Sequence, residues 1–284
     1  MRPHDNRAWL LLLPALSLLG VVGALPLLAV FNYAFHDIFT LSSVHWVGFE
    51  WFIDILQSDR FVASLGRSLL FSVLALSIQV PLGIAVALLL LSFGKRAAWG
   101  LMLCALPLVV PWNMVPILWL GLIDADTGLL GPGLAAVGFD YKFTALHTWA
   151  LILAVDTWHW LGLVVVLAYA GLSAIPPAYR QAAAIDGASR WAVLRHIELP
   201  RIAAALSIVF LLRFVDSFMI YTEAFAINAG GPGDATRFLT LELGEEIKGF
   251  SYGQAAARAT LYFLIVLAVV WAFVAATRPP EGEA

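Results

Sequence analysis

The sequence has few of the residues from which soluble enzymes and disulfide-bonded proteins are built. Only 12% of its 284 residues are charged, whereas soluble domains average about 25%. Its single cysteine, Cys104, lies in an apolar run, which excludes a disulfide framework, a cysteine zinc site and a redox pair. The histidines show no metal-ligand spacing, so we expect no metal site. No G-x-x-x-x-G-K-[ST] motif occurs, so any ATP chemistry must come from another chain and we expect no enzyme.

Hydrophobic residues, in contrast, are abundant. They make up 62% of the chain, and the mean hydropathy is +0.89, which indicates an integral membrane protein. The first apolar run follows two arginines but is far longer than the ~7 to 15 residues of a signal-peptide core, so we predict that it is retained as a span. Because a helix needs about 20 residues to cross a bilayer, the pattern predicts an all-α membrane protein, a single domain over residues 1–284, with six transmembrane helices: 8–31, 68–93, 97–123, 145–175, 202–227 and 259–277.

The third predicted span contains three prolines. Pro107, Pro111 and Pro116 each remove a helix hydrogen bond and tend to kink or break the helix. Broken helices at membrane depth often line a pathway, because their freed backbone groups need partners or water. A kinked helix with only a structural role is the alternative.

The distribution of positive charge predicts the orientation. Six spans place both termini on one side, and cytoplasmic loops are enriched in Lys and Arg. With the termini in the cytoplasm, five carboxylates share that side with nine cations, and eleven carboxylates share the outer side with six cations. The nine cations predicted to be cytoplasmic are Arg2, Arg7, Lys95, Arg96, Arg180, Arg190, Arg195, Arg201 and Arg278.

The polar segment from Tyr179 to Pro200 lies between two predicted spans and is patterned as two short helices. Prolines at 176 and 177 suit a helix start, and Gly187 suits a helix stop, since glycine adopts positive φ without strain. Ser189 is the predicted N-cap of a second helix to about Ile197, which Pro200 should end. The segment is a candidate docking surface; an ordinary surface hairpin is the alternative.

Ionisable side chains inside spans are costly, and each is a candidate for the solute pathway. Asp156, His159 and Trp160 share one helical face of the fourth span, while Arg213, Asp216, Tyr221 and Glu223 lie in or near the fifth. Aromatic rings beside hydrogen-bonding groups suit polyhydroxyl ligands. The alternative is that Arg213 and Asp216 form an internal ion pair and that Trp158 and Trp160 are interfacial anchors.

Several motifs resemble one family in the same order along the chain. AAAIDGAS at 182–189, followed by HIELP ending at Pro200, resembles the EAA loop of permease subunits of bacterial ABC importers. The longer string LAYAGLSAIPPAYRQAAAIDGAS resembles the carbohydrate-importer branch, of the maltose and glycerol-phosphate type. GGP at 230–232, FSYG at 250–253 and TGLL at 127–130 with Trp119 also resemble that branch. Gln181 stands where the family usually has glutamate.

The resemblance implies a type I ABC importer transmembrane domain with a cytoplasmic coupling helix in segment 176–200. The residues expected to contact an ATPase subunit are Tyr179, Arg180, Gln181, Ala182, Ala183, Asp186, Gly187 and Ala188. It further implies two ATPase subunits that bind ATP and magnesium, a second, related permease chain, a periplasmic solute-binding protein and a bacterial inner-membrane location. No cofactor on this chain and no nucleic-acid partner are expected. The implied activity is ATP-driven import, by alternating access, of a sugar, polyol or glycerol.

Two other functions compete with this interpretation. An ion-driven secondary transporter could use Asp156, Asp216 and Glu223 as a proton relay, and a membrane scaffold or receptor would transport nothing. A third pattern, G-x-S-x-G at Gly249 to Gly253, matches the nucleophile elbow of serine hydrolases. That motif needs a strand-to-helix turn and a nearby histidine, and every histidine is distant in the sequence, so we do not expect a hydrolase.

Overall fold

The computed structural model describes residues 8–40 and 43–277, and the predicted cytoplasmic cations Arg2, Arg7 and Arg278 lie outside these ranges. Within them the chain is mainly helical, with one β-hairpin. The elements are α1 (Ala8–Leu19), α2 (Leu25–Tyr33), β1 (His36–Thr40), β2 (Ser43–Trp46), α3 (Glu50–Gln57), α4 (Asp59–Ser92), α5 (Ala97–Val109), α6 (Val115–Ile123), α7 (Gly131–Ala136), α8 (Ala145–Ser173), α9 (Pro177–Ile185), α10 (Arg190–Val193), α11 (Leu199–Arg201), α12 (Ala203–Phe218), α13 (Thr222–Asn228), α14 (Leu239–Lys248) and α15 (Tyr252–Thr277).

The predicted spans correspond to helices of the structure. Among the described residues, four continuous helical stretches are long and apolar enough to cross a membrane: Leu10–Tyr33, Asp59–Ser92, Ala145–Ser173 and Tyr252–Thr277. The pair α12 and α13 passes the same criterion but is bent by 40°. The third predicted span is α5 and α6, two helices that are each too short to cross alone. Five of the six predicted spans are therefore present, four as continuous helices and one as a bent pair, and the third predicted span is divided into two shorter helices.

The prolines of the third span break it, as predicted. α5 ends at Val109, and α6 begins at Val115 with Pro116 as its second residue. Val110 is extended, with φ −70° and ψ 126°, because the ring of a following proline disfavours helical geometry in the residue before it. Pro111 thus occupies the gap between the two helices.

Two other prolines lie just after widened, π-helical turns. Gly20–Ala24 precedes Pro26, and Leu194–Glu198 precedes Pro200. A proline ring clashes with the carbonyl four residues earlier, and in both places that carbonyl lies inside the widened turn. The extra residue in the turn gives the ring room, so the helix continues through the proline. The prediction that Pro200 ends its helix is therefore wrong: the helical run extends to Arg201.

One compact unit comprises the described residues of the ranges 8–62 and 242–277. In it, α15 packs against α2, α3 and β1. Strands β1 and β2 pair antiparallel, with Ile38 opposite Val44; no sequence pattern predicted this hairpin. The buried guanidinium of Arg258 on α15 binds Glu242 and Glu246 at 2.6 Å each, so the one strongly charged residue of that helix is neutralised by two carboxylates.

The other unit comprises residues 63–241. Its central helix is α8, which packs against α5, α6, α12 and α13. The approach to α5 is close: a Cβ atom at Gly162 would lie 2.0 Å from the carbonyl oxygen of Cys104, so only glycine fits there. This unit holds both sets of residues that the sequence marked as functional, since the coupling segment follows α8 directly and the polar residues lie on α8, α12 and α13.

Candidate functional site

The coupling segment begins as two helices joined by a tight turn, as predicted. α9 starts at Pro177 and ends at Ile185. Gly187 then has a φ of +71°, a conformation that glycine adopts without a Cβ clash. The Oγ of Ser189 accepts a hydrogen bond from the backbone N–H of Ala192 at 3.2 Å, which confirms Ser189 as the N-cap of the second helix. The segment therefore presents a defined helical hairpin.

A groove of about 360 Å³ runs between the two helices of the segment. Five of the predicted contact residues line it, together with four residues of the second helix: Tyr179, Ala182, Ala183, Asp186, Ala188, Ala192, Val193, His196 and Ile197. Small alanines on its walls leave room for a partner's side chains or backbone. Gln181 and Gly187 are exposed beside the groove. Arg180 points elsewhere, toward a buried carboxylate.

That carboxylate belongs to Glu198, which has no exposed surface. Arg180 donates from Nε to Oε1 of Glu198 at 2.8 Å, and Arg190 donates from Nη1 to both carboxylate oxygens at 2.9 Å. Burial by itself would raise the pKa of Glu198, but the hydrogen bonds and charges of Arg190 and Arg180 outweigh it and hold the pKa below its usual range. The carboxylate is therefore ionised at neutral pH, and the cluster has a net positive charge.

Inside the predicted membrane region, a second polar cluster joins three helices. Arg213 on α12 donates from Nη2 to Oδ2 of Asp156 on α8 at 2.7 Å, and from Nε to Oε1 of Gln79 on α4 at 2.8 Å. Its Nη1 binds Asp216 one turn along the same helix. Gln79 closes the ring by donating to Oδ2 of Asp156 at 2.7 Å. The ion pair considered as an alternative from the sequence is present, and it includes Asp156 as well as Asp216.

The aromatic residues of the fourth span take different positions. The guanidinium of Arg213 lies 4.8 Å from the centre of the Trp160 ring, within the range of a cation–π interaction. Trp160 is thus part of the cluster and not an interfacial anchor. Trp158 is 38% exposed and meets Trp119 edge-on at 6.0 Å. His159 is buried beside Trp160, and within the part of the chain that the structure describes its Nδ1 atom has no hydrogen-bond partner.

The remaining predicted pathway residues lie at the bend between α12 and α13. Tyr221 immediately precedes α13 and stacks on Phe225 at 5.5 Å. Glu223, in the first turn of α13, is 6% exposed. The structure therefore brings Asp156, Trp160, Arg213 and Asp216 together. Glu223 lies at the bend, and Tyr221 is partly buried and packs against the apolar core.

Sequence reasoning missed Gln79. It is fully buried and bridges Asp156 and Arg213, but the search for costly residues in spans considered only ionisable groups. The available signal was that Gln79 is the one side-chain amide in a run of apolar residues and serines from 68 to 93. An amide in hydrocarbon also needs partners.

The G-x-S-x-G pattern does not have the local structure of a serine-hydrolase nucleophile elbow. Ser251 lies in a turn between two helices, α14 and α15, whereas a nucleophile elbow joins a strand to a helix. Across residues 8–40 and 43–277, no group of three or more His, Cys, Asp or Glu side chains is arranged to hold a metal ion.

Comparisons with known proteins agree with this geometry. The chain is 29% identical over 265 residues to a probable ABC transporter permease protein of Sinorhizobium fredii, covering 90% of this chain and 85% of that protein. It is 28% identical over 267 residues to the trehalose/maltose transport system permease protein MalF of Thermococcus litoralis, covering 91% and 89%. A chain from the crystal structure of a bacterial ABC transporter involved in import of the acidic polysaccharide alginate has the same fold, with a TM-score of 0.82, 21% identity and 97% of both chains covered.

A family model, described as the binding-protein-dependent transport system inner membrane component, matches residues 79–278. The match covers well over half of the chain and includes both the groove of the coupling segment and the buried polar cluster. The chain therefore belongs to the family of inner membrane components of binding-protein-dependent transport systems, the permease subunits of ABC importers.

Proposed function

We propose that this chain is the permease subunit of an ATP-driven importer that moves a small, neutral polyhydroxyl solute from the periplasm to the cytoplasm by alternating access. The observation that carries the proposal is the groove of the coupling segment, lined by Tyr179, Ala182, Ala183, Asp186 and Ala188. It lies directly after α8, which carries Asp156 and Trp160 of the polar cluster. A force applied at the groove is therefore applied to the helix that carries part of the proposed pathway.

The groove is the proposed docking site for an ATPase subunit. The family requires a binding protein, and the proposed complex has two ATPase subunits that hold ATP and magnesium, a second permease chain and a periplasmic binding protein. The excess of cations on the coupling-segment side supports a cytoplasmic position for that segment and for both termini. Gln181, exposed beside the groove, would contribute a hydrogen bond in place of the usual glutamate charge.

The chemistry of the polar cluster supports a neutral solute. Binding a phosphate or a uronate needs a cation with free donors, and Arg213 already donates to Gln79, Asp156 and Asp216. The carboxylates of Asp156 and Asp216 both bind this one guanidinium, and Glu223 is a third buried acidic residue, in the first turn of α13. Such a site offers acceptors to hydroxyl groups and repels anions. The trehalose/maltose name of the relative MalF fits a sugar.

Substitution of Gly187 tests the energy source. Gly187→Arg puts a Cβ atom and a long side chain at a φ of +71°, which strains the turn beside the groove. We expect the variant to insert in the membrane but to lose ATP-dependent uptake of radiolabelled glycerol, maltose or trehalose into proteoliposomes. Gly138→Arg is the matched control, because Gly138 also has positive φ and open space around it but lies in a loop assigned to the outer side. Equal uptake by both variants would contradict the docking assignment.

Inhibitors distinguish the proposed importer from an ion-driven carrier. Vanadate, which traps ATPases, should stop uptake by the assembled complex, whereas a protonophore should not. The opposite result would favour a proton relay through Asp156, Asp216 and Glu223. For the substrate class, thermal-shift screening of the associated binding protein should detect sugars or polyols and not their phosphorylated forms. A binding protein stabilised only by phosphorylated compounds would contradict the neutral solute.

A further inference from the structure

Glu198 is a buried carboxylate in a segment whose surface is otherwise open. Its exposed fraction is 0%, while His196 and Pro200 on either side are exposed. A carboxylate removed from water needs compensating charges and hydrogen bonds. Those compensating groups show what Glu198 holds together.

One of its two ion pairs crosses the turn at Gly187. Arg180 lies on α9, before the turn, whereas Arg190 begins α10, after the turn and on the same helical run as Glu198. Both bind the same carboxylate at 2.8 to 2.9 Å. The two helices that form the walls of the groove are therefore fixed to each other through one residue that lies outside the groove.

A third bond reaches the preceding span. Nη2 of Arg180 donates to the backbone carbonyl of Leu172 at 3.0 Å, in the last turn of α8. The same carbonyl also accepts a hydrogen bond from the backbone N–H of Ile175 at 3.4 Å, so the bond from Arg180 adds a side-chain link between α9 and the end of α8. On the same segment, the guanidinium of Arg201 lies 3.5 Å from the centre of the Tyr179 ring. The beginning of α9 is thus attached both to the end of α8 and to the end of the helical run that contains the second helix.

We propose that Glu198 is a positioning residue for energy coupling, because its carboxylate ties α9 to α10 and, through Arg180, to the end of α8, which makes these elements one rigid lever. The proposal rests on the proposed docking of an ATPase subunit in the groove. A force on the groove would otherwise bend the chain at Ser173 to Pro176 or at Gly187, where the helices are interrupted. With the carboxylate in place, the displacement is passed to α8 and from there toward Asp156.

A stabilising role alone does not explain this arrangement. Buried ion pairs contribute little net stability compared with well-packed apolar side chains, and their best-attested role is to select one arrangement among several. The Glu198 carboxylate selects a fixed angle between three helix ends. Its removal should therefore affect transmission of motion more than assembly.

The test uses the whole complex: both permease chains, the ATPase subunits and the binding protein in lipid nanodiscs. Glu198→Gln keeps the shape of the side chain and removes its charge. We expect the ATPase subunits to co-purify in the normal ratio and basal ATP hydrolysis to continue. Stimulation of hydrolysis by the external binding protein should fall by about an order of magnitude. Arg195→Gln, which removes an exposed charge from the same helical run, is the control and should retain full stimulation.

Pulsed EPR measures how rigidly α9 is held against the end of α8. Nitroxide labels at Ser173→Cys and Ala184→Cys, in a Cys104→Ser background, report the distance between the end of α8 and α9. In the otherwise unsubstituted complex the distribution of this distance should be narrow, and it should not change when ATP and vanadate trap the closed ATPase. In Glu198→Gln the distribution should broaden. Arg190→Lys, which keeps a cation at position 190 and leaves the Arg180–Glu198 pair unchanged, should give a narrower distribution than Glu198→Gln.

Three results would overturn the proposal. Glu198→Gln could match Arg195→Gln in both measurements, or it could lose stimulation with no change in the distance distribution. It could also lose the ATPase subunits, which would mean that Glu198 shapes the docking surface itself. Failure of the proposed function is distinguishable, because binding protein and ATP would then have no effect even on the unsubstituted complex.

Discussion

Arg213 and Asp156 form an ion pair between α12 and α8, with 2.7 Å between Nη2 and Oδ2 and side chains that are 1% and 3% exposed. Removing one partner of a buried pair leaves an unpaired charge, which typically costs about 3 to 5 kcal/mol. A loss of transport in Asp156→Ala would therefore not distinguish a role of Asp156 in transport from a role in folding. The neutral isostere asparagine separates the two, since it can still accept a hydrogen bond from Arg213.

Asp156→Asn should reduce transport more than it reduces the amount of folded protein. The substitution removes one of the three acidic groups near the proposed solute path, while Arg213 keeps Gln79 and Asp216 as partners. Uptake of labelled sugar or glycerol per folded complex should fall by about an order of magnitude. Asp126→Asn, in an exposed loop, serves as the control. A fall in uptake that only parallels the loss of folded protein would assign Asp156 a structural role.

Gln79→Leu should destabilise the protein. It leaves Nε of Arg213 and Oδ2 of Asp156 each without one buried partner, and an unsatisfied buried polar group costs about 1 to 3 kcal/mol. The thermal unfolding midpoint in detergent should drop clearly. Gln57→Leu, at the exposed end of α3, should leave the midpoint nearly unchanged. Equal midpoints for the two variants would show that Gln79 is not part of the network.

Gly162→Ala should force α5 and α8 apart. Its Cβ would lie 2.0 Å from the Cys104 carbonyl oxygen, and overpacking of this kind costs about 1 to 3 kcal/mol. Gly121→Ala, also in a helix but with no atom within 4 Å of the added Cβ, is the matched control and should be neutral or slightly stabilising. The comparison of unfolding midpoints tests the packing; a stable Gly162→Ala variant would contradict it.

The Glu198 cluster should resist mild acid. Because its guanidinium partners hold the pKa of Glu198 below the ordinary value of 4.5, the ionised carboxylate stabilises the segment above that value, and this contribution is lost as the pH falls through the lower folded-state pKa. The distribution of distances between labels at Ser173→Cys and Ala184→Cys should therefore stay narrow from neutral pH to about pH 5. Broadening already near pH 6 to 7 would contradict a lowered pKa.

Local backbone chemistry was readable from the sequence. The start of α9 at the Pro176–Pro177 pair, the stop at Gly187 and the cap at Ser189 each follow from what one residue type does to its own turn. Pro111 broke the third span for the same reason. The orientation of side chains was not readable in this way. Arg180, expected to contact an ATPase subunit, instead binds the buried carboxylate of Glu198, eighteen residues later in the chain.

The bend of the fifth span had no local signal. Neither proline nor glycine occurs between Phe218 and Thr222, and the break is accommodated by a distant residue. The hydroxyl of Thr240 donates to the carbonyl of Ile220, which the break leaves free. Contacts of this type depend on the folded chain, and they also explain why Gln79 was overlooked: its importance comes from its position between Asp156 and Arg213, not from its charge.

The widened turn from Leu194 to Glu198 also changes the angular phase of the helix that contains it. One extra residue in a turn rotates all later side chains by about 100° relative to a regular α-helix. The direction of the Glu198 side chain relative to the residues before the turn therefore differs from the one that a regular helical wheel would give. Loss of a single residue here would restore the regular repeat and move the carboxylate about a quarter of a turn away from Arg180 and Arg190. The length of this turn, as much as the identity of its residues, keeps the carboxylate between the two arginines.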